Sequence, residues 1–126
     1  MKKEILMGLT ALLISCNSNS TPKYDTTAAK MELAHCLVDK GALMYGFQGC
    51  PWCTKQEEDL GQEAWNVFKQ NYVDCFSSQK NEARCAKEDV PAFPYWKFQN
   101  GKALRGYKPL EILAKESGCD QTTGQR

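Results

Sequence analysis

Histidine is nearly missing from this chain: His35 is the sole one among 126 residues. A structural zinc site needs four ligands, commonly from two close cysteine pairs. The chain has one such pair, Cys50 and Cys53, with His35 far off in sequence, so no metal is expected. An excess of one charge is lacking too, with 16 Lys and Arg against 15 Asp and Glu and no basic stripe. Nucleic acid is therefore not an expected partner. The apolar stretch from Ile5 to Ile14 is too short to cross a bilayer as a helix. Repeats and low-complexity domains are absent from the sequence, and its length suits one small domain.

What the chain has is an exported look and seven cysteines. Lys2 and Lys3 precede the short apolar stretch, which is the build of a secretory signal. It ends in Leu13-Ile14-Ser15-Cys16, with leucine three before the cysteine and a small residue directly before it. This resembles the lipobox of bacterial lipoproteins, which implies lipidation of Cys16 as the mature N-terminus and a membrane link through that lipid. Removal of Lys2, Lys3 and Glu4 with residues 1–16 leaves the two charge signs equal. Residues 17–25, "NSNSTPKYD", are polar and without period, and read as a flexible tether. Residues 121–126 read as a disordered tail, which leaves 26–120 as the domain. Six cysteines then remain, Cys36, Cys50, Cys53, Cys75, Cys85 and Cys119. In an oxidising compartment an even set reads first as disulfides, but counting does not give the pairing.

Periodicity supplies the order of elements. Ala29, Leu33, Cys36 and Leu37 form one stripe of an amphipathic helix that Gly41 stops. "ALMYGF", 42–47, is a continuous apolar run, as expected of a strand covered on both faces. Pro51 suits the first turn of a helix reaching Gly61, and "EAWNVFKQ" continues with a second helical piece. "YVDCF", 72–76, is a strand, and a loop with a short helix follows. Asn100-Gly101, flanked by alternating residues, is a strong hairpin signal. Pro109 opens a last helix with Leu110, Leu113 and Ala114 on one face, and Gly118 ends it. A βαβ unit followed by a ββα unit is the thioredoxin layout: α/β, a central mixed sheet flanked by helices, here without the usual first strand.

The chemistry centres on Cys50-Pro51-Trp52-Cys53. Haem attachment needs histidine after the second cysteine, and Thr54 stands there. A purely structural bridge of this spacing closes a tiny loop and stabilises weakly. A reactive pair fits better. Cys50 lies where a strand ends and a helix begins, so free backbone N–H groups and the helix dipole favour its thiolate, the attacking species. Cys50 is expected to meet solvent, and Cys53, one turn on, to be buried and to resolve the mixed disulfide. Pro-Trp offers no cation, so the activation is expected to fall short of that in the strongest oxidants. Trp52 is expected to be exposed and to contact substrate. Thioredoxin-like folds also place a cis-proline opposite the active cysteines, and Pro94 stands before "YWKF", about forty residues after Cys53. Pro91 is the competing position.

From His35 to Cys119 the chain resembles the thioredoxin-like domains found fused to, or beside, bacterial homologues of vitamin K epoxide reductase. "CLVDKGALMYGFQGCPWCTKQEEDLG", "YVDC", "ARCAKEDVPAFPYWKFQNGK" and "LEILAKESGC" follow that pattern in order. Trp52 stands where histidine is common and Tyr95 where threonine usually follows the cis-proline, and both bear on redox poise. The resemblance implies that Phe93 and Pro94 hold an extended substrate segment through the Phe93 backbone. It also assigns structural bridges: Cys75, ending the second strand, with Cys85 in the next helix, and Cys36 with Cys119 on the first and last helices. As free thiols these four would pack as small buried side chains; export argues for bridges, and a second redox shuttle at Cys75 and Cys85 stays open.

The implied protein is a membrane-anchored lipoprotein facing the periplasm or cell exterior, a monomeric thiol–disulfide oxidoreductase with no cofactor beyond its own disulfide. Its substrates would be cysteine-containing exported proteins, and its electrons would pass to a quinone-linked membrane reductase related to vitamin K epoxide reductase. The alternatives are a reductase or isomerase supplied from the cytoplasm, and a non-catalytic binding lipoprotein whose Cys50–Cys53 bridge is permanent. His35 is expected at the surface, Glu57, Glu58 and Asp59 on a solvated helix face, and Trp65 and Phe68 in the core.

Overall fold

The computed structural model describes residues 23–121. Cys16, the signal-like segment, most of the tether and residues 122–126 lie outside the described residues. Tyr24, in the stretch read as a tether, is buried in the core.

Local signals set most boundaries. Helix α1, Thr27–Asp39, starts where the Thr26 side chain accepts from the Ala29 N–H. It buries Leu33, Cys36 and Leu37 of the expected stripe, with Ala34 beside them, while Ala29 is only half-buried. Strand β1, Leu43–Gly46, follows, then helices α2, Pro51–Leu60, and α3, Gln62–Phe68. A 3-10 turn, Lys69–Asn71, leads into strand β2, Tyr72–Asp74. Helix α4, Gln79–Lys87, is capped by Ser78, whose hydroxyl accepts from the Asn81 N–H. Strands β3, Tyr95–Lys97, and β4, Ala103–Arg105, form the hairpin. Helix α5, Leu110–Ser117, ends at Gly118, and Cys119–Gln121 is a 3-10 turn. Two expectations shift. Cys75 lies just past β2, its N–H extending the ladder to the Gly46 carbonyl at 2.8 Å. Cys119 lies beyond α5 rather than on it, because the left-handed Gly118 has already ended the helix.

The sheet is mixed, in the order β2-β1-β3-β4. β1 and β2 run parallel with Met44 opposite Tyr72, and β1 and β3 run antiparallel with Tyr45 opposite Tyr95. β3 and β4 pair antiparallel. Met44 and Tyr45 point to opposite faces, and both are buried. The Met44 face carries the larger core, in which Leu37, Phe68, Trp96 and Leu113 are completely covered. The Tyr45 face is thinner and packs on Val73 and the Cys75–Cys85 pair. Phe68 is in the core as expected, whereas Trp65 is only half-buried and packs edge-on against Tyr72 at 5.2 Å. His35, expected at the surface, is half-buried.

Candidate functional site: the Cys50–Cys53 end of the sheet

β1 ends at Gly46, and the chain turns through Phe47–Cys50, with the Cys50 N–H bonded to the Phe47 carbonyl at 3.2 Å. Gly49, with φ of 93°, occupies the third position of that turn, where a side chain would be strained. The turn delivers Cys50 to the N-cap of α2, with Pro51 in the first helical turn. The Cys50 Sγ accepts from the Cys53 N–H at 3.2 Å, the place an N-cap serine oxygen takes elsewhere. A hydrogen bond to sulfur from a helix N-terminus favours the thiolate. Cys50 and Cys53 are disulfide-bonded, with Cα atoms 5.2 Å apart.

The expected asymmetry of exposure is absent in this oxidised state. Cys50 is 3% exposed and Cys53 5%. Cys50 does not meet solvent because its sulfur is turned into the helix end, toward the Cys53 N–H, and belongs to the core cluster. A cavity of about 460 Å³ touches Cys53 instead, lined also by Met44, Phe47, Glu57, Tyr72 and Asp74.

Trp52, between the cysteines, is 58% exposed and packs on Tyr107 with ring centroids 5.8 Å apart. Tyr107 in turn donates to Asp59, and the Lys55 ammonium lies 5.3 Å from its ring. Burial alone would raise the Asp59 carboxyl, but hydrogen bonds from Lys55 and Tyr107 outweigh it and hold the carboxyl below its ordinary value. Asp59 is therefore half-buried and engaged, not part of a solvated face; Glu57 and Glu58 are exposed as expected.

Pro94 arrives from the other side. β3 starts at the end of the sheet where β1 finishes, so Phe93 and Pro94 lie at the Cys50 end. The Phe93–Pro94 peptide bond is cis. Phe93 packs on Phe47 at 5.0 Å and on Phe76 at 6.1 Å, and Phe76 is 62% exposed. The other cysteines pair as Cys36–Cys119 and Cys75–Cys85, all four buried.

Sequence reasoning missed three residues here. Gln56 is completely buried, one turn beyond Cys53, and bridges Trp96 to the Lys108 backbone. Tyr107 packs on Trp52, between the cysteines, and the Tyr72 hydroxyl shares with the Cys53 sulfur the space over Gly46. The one available signal was the spacing 50, 53, 56 and 60 along α2, which puts Gln56 on the buried stripe.

Compared with protein-family models and with curated proteins, the chain matches none. Among the described residues, no group of His, Cys, Asp and Glu could hold a metal ion, and no helix is long and apolar enough to cross a membrane.

Proposed function

We propose that the protein is a thioredoxin-like, extracytoplasmic thiol–disulfide oxidoreductase that exchanges disulfides with exported proteins through Cys50 and Cys53. The observation that carries this reading is the Cys50 sulfur at the N-cap of α2, bonded to the Cys53 N–H and bridged to Cys53 one turn on. A helix start stabilises the thiolate that exchange requires. The strand order and directions, and Pro94 at the same sheet end, support the thioredoxin-like part. In this reading Cys50 exchanges with substrate, Cys53 resolves, Phe93 and Pro94 hold the substrate backbone, and the exposed Trp52 contacts it. Electrons taken from substrate pass on to a quinone-linked membrane reductase of the vitamin K epoxide reductase type. Lipid on Cys16 holds the domain beside that partner, and Cys16→Ser is expected to release it from the membrane fraction.

One observation favours the binding-lipoprotein reading: both bridge cysteines are buried, as a permanent disulfide would be. A redox titration of the folded protein in thiol–disulfide buffers separates the two. Reversible opening of Cys50–Cys53 at a potential within reach of physiological thiols supports the oxidoreductase. A bridge that stays closed until the protein unfolds supports the binding protein.

A further inference from the structure

Resting on the exchange reading above, the chemistry at Cys53 raises a problem of charge. A substrate thiolate attacks the Cys50 sulfur, and a new S–S bond forms between them. The Cys50–Cys53 bond breaks, and its electron pair leaves on Cys53. A second substrate thiolate then attacks the substrate sulfur of this mixed disulfide and frees Cys50 as thiolate. The substrate dithiol has lost two electrons and two protons, and the cysteine pair has gained the electrons. In either direction Cys53 passes through a thiolate at a buried position, which is costly without a donor.

Gly46 shows where a donor stands. A Cβ on that residue would sit 2.9 Å from the Cys53 sulfur and 3.0 Å from the Tyr72 hydroxyl oxygen. The bare Cα therefore leaves one small space shared by thiol and phenol. Met44 lies opposite Tyr72 across the parallel pair, so the strand beside the phenol offers no competing polar side chain there. We propose that Tyr72 donates its phenolic hydrogen to the Cys53 sulfur whenever the Cys50–Cys53 bridge opens, and so holds the Cys53 thiolate.

Burial, then Asp74 and Glu57, push the Tyr72 phenol up to about 12. It stays protonated at working pH and acts as a donor, not as a base. Tyr72 shares the cavity beside Cys53 with Glu57, Asp74 and Lys69. Glu57 lies four residues beyond Cys53 on α2, on the same side of the helix. Its carboxylate and that of Asp74 oppose the thiolate, while Lys69 and the Tyr72 hydroxyl favour it.

The test is the thiol pKa of Cys53 in a Cys50→Ala protein with the other two bridges intact, read from thiolate absorbance against pH. Adding Tyr72→Phe, which keeps the ring on Trp65, is expected to raise that pKa by about one unit. Adding Glu57→Gln is expected to lower it. An unmoved Cys53 in the Tyr72→Phe protein overturns the proposal, and so does a rise in both variants, which reports general loosening. Should Tyr72→Phe fail to fold, fluorotyrosine at position 72 keeps the hydroxyl and makes it a stronger donor; it is expected to lower the Cys53 pKa, and no change overturns the proposal. Failure of the exchange reading is seen separately, as a native Cys50–Cys53 bridge that no thiol buffer opens while the Cys53 pKa still answers to Tyr72.

Discussion

The side-chain oxygen of Gln56 accepts a hydrogen bond from the indole Nε1 of Trp96 at 3.2 Å, where both residues are completely buried. The same oxygen accepts from the Lys108 N–H at 3.0 Å, and the Gln56 amide nitrogen donates to the Lys108 carbonyl at 2.8 Å. One side chain on α2 thus ties the cysteine helix to β3 and to the segment before α5.

Gln56→Leu keeps much of the volume but strands the Trp96 indole and both Lys108 backbone groups. Each orphaned buried group costs about 1–3 kcal/mol. The expected loss is about 2 kcal/mol in urea unfolding, set chiefly by the buried Trp96 indole because the Lys108 groups are half-buried and regain some water, with an unchanged denaturant slope. A loss below about 1 kcal/mol would mean that water reaches the indole as well.

Cys53→Ala is expected to accumulate mixed disulfides with substrates or a membrane partner, and Cys50→Ala is expected to accumulate none. The reason is the hydrogen bond from the Cys53 N–H to the Cys50 sulfur, not a difference in exposure. In the reduced wild-type protein, alkylation is expected first at Cys50, at a pH below the roughly 8.5 of a free thiol. Peptide mapping after a short alkylation pulse checks the order. Equal labelling of both thiols contradicts it.

The other two bridges differ in the length of chain they close. Cys36 and Cys119 are 83 residues apart in sequence, Cys75 and Cys85 only 10. Chain-entropy estimates give about 4.5 kcal/mol for the long loop and about 3 kcal/mol for the short one. Replacing Cys36 and Cys119 together by serine is therefore expected to lower the denaturation midpoint further than replacing Cys75 and Cys85. The reverse order would point to residual structure in the unfolded chain.

Tyr24, Tyr45, Tyr72 and Tyr107 all have phenols raised above their ordinary value, each chiefly by burial. Below about pH 10 these groups are protonated whether the chain is folded or not, so stability does not change with pH through them. Above that pH the unfolded chain ionises while the folded protein does not, and stability falls. For Tyr72 the fall runs from about pH 10 up to about 12. Rapid absorbance titration of the phenolates, beside chemical denaturation at each pH, checks both halves. Tyr72→Phe is expected to flatten the alkaline slope.

Structure set by near neighbours was legible in the sequence. Gly41 and Gly118 stop helices, Pro51 starts one, and Asn100-Gly101 turns the hairpin, because each acts through its own dihedrals or its next few residues. In the hairpin the Asn100 side chain accepts from the Lys102 N–H at 2.9 Å, which is such a local act. Gln56 was not legible, because a glutamine inside "TKQEEDL" looks solvated until Trp96 and Lys108, 40 and 52 residues away, are brought to it. In the sequence Tyr72 is an ordinary strand residue, and its approach to Cys53 depends on the missing side chain of Gly46. The burial of Cys50 escaped for a similar reason. Its position at a helix start is local, but its covering comes from the folded core around it.

The Cys36–Cys119 bridge also decides how the domain would carry a load. A pull applied at residue 23 and opposed at residue 121 enters through the first part of α1. At Cys36 it crosses the sulfur bridge to Cys119 and leaves the domain within a few residues. The intervening sheet, the Cys50–Cys53 pair and Tyr72 all lie within the closed loop, off that line of force. The part that bears the load is then residues 23–36, with the buried Tyr24 and the opening of α1, while the cysteine pair keeps its geometry under tension.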